Sequence, residues 1–248
     1  MTRAVARALA RAFARTAGGA LVIACAMGAS AGVATAATTS GAQAVAQAGV
    51  LQATDFPAGW KESTRPASSD NELDSQAAKI TTCKPFLAFS KANKKNPRAE
   101  SPNFDLEQSH VNNTVSVYPS VTTATAAMKI FDNARLPACL DKLFSAEFKT
   151  QLAKDKKVAK QLRSIKVDIG RLEGLAIGDE VAAYKGTVEV GLQGGTTSTF
   201  GLAVIAIRVD NAFAGYSYTA DSDISAALQP AIVSSVGRLK AATTAAAT

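Results

Sequence analysis

Histidine occurs once in the 248 residues, tryptophan once and cysteine three times. A closed zinc site built from Cys and His alone is excluded, because it needs four such ligands and only His110, Cys83 and Cys139 lie beyond the N-terminal apolar stretch. Any Ser/His/Asp or Cys/His nucleophilic mechanism would have to use His110. Long apolar runs are scarce too: past residue 36 nothing approaches the roughly 18 apolar residues of a spanning helix. Yet 47% of the chain is apolar and only 19% charged, which excludes intrinsic disorder for its bulk. The length suits one large domain.

What is there begins with an address. Arg3, Arg7, Arg11 and Arg15 stand without an acid, and Thr16 to Ala36 carries no charge at all. These are the n-region and h-region of a secretory signal peptide, with Ala34 and Ala36 as the small residues before a cleavage after Ala36. A second reading stays open: Val22-Ile23-Ala24-Cys25 is similar to a lipobox, in which Cys25 would be acylated and the protein tethered to a membrane. Removing the four Arg from 27 basic residues leaves 23 against 20 acidic, a net charge of +3. That ordinary balance, outside the cytoplasm, argues against a nucleic-acid partner. In an exported chain Cys83 and Cys139 are expected to form a disulfide, stabilising by about 4 kcal/mol in the chain-entropy account.

The domain plan is a signal peptide at 1–36, a flexible tether at 37–48, one globular domain at 49–241 and a disordered tail at 242–248. A polar stretch at 61–75 reads as surface loop, followed by a helix capped by Asp74 or Ser75 that carries Cys83. Pro85 opens or closes a short helix with Phe86, Leu87 and Phe89. From 103 to 118 the pattern has period two, and Asn112-Asn113 reads as a hairpin turn that sets His110 opposite Val115 on an apolar face. Ala124, Ala127, Met128 and Phe131 mark a helix, and Pro137 suits the first turn of another through Phe148. Strands are expected near 165–169, 181–192, 198–209 and 212–219, the last three as a meander turning at Gly194-Gly195 and Asp210-Asn211. Phe200 to Val209 is apolar on both parities and should lie centrally, and a helix with Pro230 inside it closes the domain. The class is α+β: a twisted antiparallel sheet of about five to six strands packed with helices.

Separated features then carry a resemblance. Leu51, Asp55, Phe56, Pro57, Gly59 and Trp60 are similar to the opening of many actinobacterial exported proteins. Tyr118-Pro119 and Arg135-Leu136-Pro137 lie between the two Cys, Gly178-Asp179-Glu180 precedes a strand, and Ile207-Arg208-Val209-Asp210-Asn211 resembles a hairpin of that group. Together they resemble the extracellular sensor domain of the actinobacterial serine/threonine kinase PknH and its free-standing secreted or lipoprotein relatives. The resemblance implies a sheet packed with helices, a cleft for an unknown ligand and no catalytic residues. This chain shows no kinase domain, and beyond the expected signal peptide it has two Cys where the kinase sensor is held by two disulfides.

The functional expectation is therefore a non-enzymatic exported domain, secreted or at the cell surface, binding a small or lipidic ligand in a cleft beside the sheet. The alternative is an envelope protein that recognises polymer or another protein without a pocket. Tyr184, Tyr216, Tyr218 and His110 are the candidate cleft lining, since a row of Tyr presents apolar rings with polar tips. No metal and no cofactor are expected, and the protein is read as a monomer. Asp179, Glu180, Asp221 and Asp223 lack the ligand series of a calcium loop and read as turn and cap residues. Lys91, Lys94, Lys95, Arg98 and Lys154, Lys156, Lys157, Lys160 are basic clusters suited to anionic envelope components.

Overall fold

The computed structural model describes residues 33–65, 70–107, 109–220 and 225–246. The helices are α1 (Val33–Ala48), α2 (Asp70–Ala78), α3 (Lys84–Asn93), α4 (Val121–Phe131), α5 (Leu136–Ala153), α6 (Lys156–Gln161) and α7 (Ser225–Ala246). The strands are β1 (Lys61–Ser63), β2 (Arg98–Glu100), β3 (Asn103–Leu106), β4 (Ser109–Val117), β5 (Leu162–Arg171), β6 (Glu180–Leu192), β7 (Thr197–Val209) and β8 (Ala212–Ala220). All pairings are antiparallel, in the order β1-β3-β4-β8-β7-β6-β5, with β2 joined to β4 beside β3. The class is α+β as expected, but the sheet has eight strands rather than five to six. The additional ones, β1 and β2, are three residues long, too short for alternation to show in the sequence.

Strand parity divides the sheet into two faces. On the first, Tyr184, Val188 and Val190 of β6, Leu202 and Val204 of β7 and Phe213 of β8 pack under α2 to α6, with Phe86, Phe89, Phe131, Leu143 and Phe148. The Cys83–Cys139 disulfide ties the turn before α3 to α5 within this layer. On the second face, Val111, Val115, Ile205, Ile207, Tyr216 and Tyr218 pack under α1 and α7. The meander of β6, β7 and β8 has the expected turns, with Gly194, Gly195 and Asp210 at positive φ. Gly178 is required by its φ of 75° and because a Cβ would lie 2.7 Å from the Arg208 carbonyl.

Several expectations are corrected. Residues 37–48 are not a tether but most of α1, whose Val45 and Ala46 are buried against α7, and the expected tail is helical to Ala246. Small residues such as these form a helix when another element covers one side, which composition alone does not reveal. The helix expected from Asp74 begins at Asp70 and ends before Cys83, which sits in a 3-10 turn at Thr81–Cys83. Asn112-Asn113 is not a turn: β4 runs straight through it, and the chain reverses at Glu107, with φ 54°. His110 accordingly lies opposite Asp105 and Thr219 and not Val115. Residues 1–32, which hold most of the signal peptide expected at 1–36 and Cys25, fall outside the described residues, as do Asp221 and Asp223. No described helix is long and apolar enough to cross a membrane.

Candidate functional site

The first face changes character across the sheet. Its β5–β7 half is apolar, whereas on β4 the same face carries His110, Asn112, Thr114 and Ser116, joined across the β8 pairing by Thr219 and Ser217. All six are buried. Tyr118 continues the β4 parity at the far end, its ring 6.4 Å from Phe213. Burying polar side chains costs stability unless each finds a partner, so their partners decide what this strip is for.

At the β3 end, His110 Nδ1 lies 2.7 Å from Asp105 Oδ1, and the Ser63 hydroxyl donates to Asp105 Oδ2 at 2.6 Å. Burial pushes the Asp105 carboxyl up, but the hydrogen bonds from His110 and Ser63 and the His110 charge outweigh it and hold it below the usual range. A carboxylate at Nδ1 calls for a proton there, so this nitrogen donates to Asp105. Nε2 is buried and unpartnered. The order is Ser–Asp–His, with the carboxylate in the middle, so the serine is bonded to the acid and not to the imidazole that would activate it. Among the described residues no hydroxyl or thiol is bonded to Nε2.

Along the strip, Asn112 Nδ2 donates to Asn103 Oδ1 at 2.9 Å, and Asn112 Oδ1 has no partner. Thr114 receives the Arg65 guanidinium at 3.4 Å, and Arg65 is paired with Glu100, itself paired with Arg98. Ser116 Oγ, Tyr118 Oη and Thr219 Oγ1 are buried without partners. Burial raises the Tyr118 phenol above its ordinary range. The strip is thus a row of polar groups with ion-paired side chains at Asp105 and Glu100 along its β2/β3 edge.

The tyrosines expected to line one cleft are divided between the faces. Tyr184 lies on the first face and donates to the Phe131 carbonyl at the end of α4. Tyr216 lies on the second, its hydroxyl 2.6 Å from Ser235, which in turn donates to the Gly49 carbonyl. Tyr218 is buried on the second face beside it. The three act as core residues with their polar tips inside the protein, and only His110 of the expected set stands on the strip. Asn112, Thr114, Ser116, Tyr118, Ser217 and Thr219 were missed, although the alternation of 110, 112, 114, 116 and 118 was present in the sequence once Asn112-Asn113 is kept within the strand.

Elsewhere, Asp179 and Glu180 pair with Arg208 at 3.2 and 3.1 Å and fasten the β7–β8 turn, in keeping with a turn role. An open depression of about 320 Å³ on α5 is lined by Asp141, Lys142, Ser145, Ala146 and Lys149. Among the described residues no group of acidic, His and Cys side chains is placed to hold a metal.

The solved structures include one similar to this chain, the crystal structure of the extracellular domain of PknH from Mycobacterium tuberculosis. The two are 14% identical, with a TM-score of 0.40, over 79% of this chain and 97% of that one. The resemblance is structural, and it is to the domain named from the sequence features above. No family model and no curated protein matches the chain.

Proposed function

We propose that this protein is an exported, non-catalytic binding domain of the cell envelope that holds a small molecule against the polar strip of β4 and β8. The observation that carries this reading is the strip itself: polar side chains are gathered on half of a buried sheet face, and several of their hydrogen-bonding atoms have no partner among the described residues. Natural proteins rarely leave such atoms unpaired without a use for them. Export is supported by the charged and apolar N-terminal pattern and by the disulfide, a bond kept in oxidising compartments. The strip's polarity favours a polar molecule over a lipid tail.

Native mass spectrometry of the protein recovered from its host tests this reading. The wild type is expected to carry a non-covalent mass that an Asn112→Ala variant lacks; an adduct retained equally by both would remove the strip from the site. The denatured mass from the same sample reports a start at Ala37 or an acylated Cys25, and a gain of two hydrogens on reduction reports the disulfide.

A second reading is favoured by one observation. Residues 142–166 hold eight of the basic side chains and two acids, Glu147 and Asp155, while Lys142, Lys149, Lys156, Lys157 and Lys160 are exposed on α5 and α6. This surface suits an anionic envelope polymer. Binding to such a polymer should weaken steeply between 50 and 500 mM salt, roughly as screening predicts; salt-independent binding would reject it.

A further inference from the structure

The row on β4 has a chemistry more specific than polarity. Of His110, Asn112, Thr114, Ser116 and Tyr118, four present a buried, unpartnered atom: Nε2, Oδ1, Oγ and Oη. Across the β4–β8 pairing Thr219, directly opposite His110, adds Oγ1. Asn112 is fully buried, and Ser116, Thr219 and His110 are 1%, 4% and 8% exposed. Successive members of one parity recur about every 7 Å along a strand, so the row presents hydrogen-bonding atoms over a length and not at a point.

Charge narrows the ligand further. The charged groups beside the row are already matched: Asp105 with His110 and Ser63, and Glu100 with Arg98 and Arg65. A carboxylate or phosphate placed on the row would be desolvated beside two carboxylates, Asp105 and Glu100, whose partners are already engaged with them. The open atoms are one acceptor, Asn112 Oδ1, a ring nitrogen, His110 Nε2, and three hydroxyls that donate or accept as the partner requires. Hydroxyl groups, which both donate and accept, satisfy all of these at neutral charge.

Resting on the binding reading above, we infer that the β4–β8 strip recognises a neutral, hydroxyl-rich ligand of the sugar or cyclitol class. His110, Asn112, Ser116, Tyr118 and Thr219 bond its hydroxyls, and the ion-paired carboxylates along the β2/β3 edge turn away anionic analogues.

Because His110 is the sole histidine, ¹⁵N-histidine labelling of the full disulfide-bonded chain gives one pair of ring signals that reports this strip directly. The protein is titrated with glucose, maltose, trehalose and myo-inositol, and in parallel with acetate and inorganic phosphate. A saturable shift of the Nε2 signal with at least one neutral polyol, and none with the anions, is expected. Ser116→Ala and Thr219→Val each remove an unpartnered hydroxyl at nearly constant shape, so both are expected to fold with an unchanged or higher midpoint while binding that polyol about tenfold more weakly. Saturation by an anion with no polyol response overturns the ligand class and leaves the strip as the site. If both variants instead lose stability and no probe moves the signal, the open atoms serve the fold through internal water, and the inference fails together with the binding reading.

Discussion

Asn112 and Asn113 are neighbours in sequence, equally buried, and opposite in what they do. Asn113, on the α1 side of β4, has its side chain fully employed: Oδ1 accepts from the Leu51 amide at 2.9 Å and Nδ2 donates to the Gly49 carbonyl at 3.0 Å. Its backbone exchanges bonds with Ser101. Asn112, on the other side, has one bond to Asn103 and an acceptor left open. The same residue type at the same depth serves as a clamp on one face and as an unfilled position on the other. Burial by itself therefore does not mark a structural residue; the count of satisfied atoms does.

The contrast can be broken at several strengths. The largest effect belongs to the apolar half of the first face, where replacing Cys83 and Cys139 by Ala should lower the unfolding free energy by about 4 kcal/mol in chemical denaturation, the bond closing a separation of 56 residues. If the strip is independent of that layer, the His110 ring signals stay in place. Next comes Asn113→Ala, which strands the Leu51 amide and the Gly49 carbonyl and should cost about 3 kcal/mol; a loss below about 1 kcal/mol would show that the clamp is not structural.

Asp55 sharpens the comparison on the α7 side. Its carboxylate is buried, and Arg238 reaches both oxygens at 2.6 and 2.8 Å while also donating to the Ala48 and Val50 carbonyls. Burial pushes the Asp55 carboxyl up, but hydrogen bonds from Arg238, Ser234 and the Gln52 amide, with the Arg238 charge, hold it below its ordinary value. A carboxyl depressed by folding contributes stability that is present above the unfolded pKa of about 3.9 and is lost as pH falls through the lower folded value. Asp55→Asn should thus cost about 2 kcal/mol at neutral pH and flatten the acid limb of the stability profile below about pH 4. An acid limb identical to the wild type would transfer that role to Asp105, which is depressed in the same direction.

The smallest and most discriminating pair is Tyr216→Phe against Tyr118→Phe. The first removes a hydroxyl bonded to Ser235 and should cost about 1 kcal/mol. The second removes one with no partner and should be neutral or slightly stabilising by thermal unfolding. Equal losses at both positions would erase the distinction between the faces.

Much of the fold was legible because its longest signals are local. The β6–β8 meander has period-two patterning and turn residues at both reversals, and the central position of β7 follows from its being apolar on both parities. The helix of α4 was legible from Ala124, Ala127, Met128 and Phe131, and the start of α5 from Pro137. The strip was not, for one reason: two adjacent asparagines look like a turn when only neighbours along the chain are considered. Their amides bond Gly49, Leu51 and Asn103, two of which lie more than 60 residues away. Likewise Tyr184, Tyr216 and Tyr218 were grouped by residue type, whereas strand parity sends the first to one face and the others to the opposite one.

The sequence by itself determined the α+β class, the meander and the disulfide partners, because periodicity, turn chemistry and a single pair of cysteines are properties of short stretches and of counting. Only the tertiary structure decided that α1 belongs to the core, that β4 passes straight through its asparagines, and that one row of that strand keeps its polar atoms open. Each of those depends on which distant backbone groups come within hydrogen-bonding reach, and that is set by the packing of the sheet between its two helical layers.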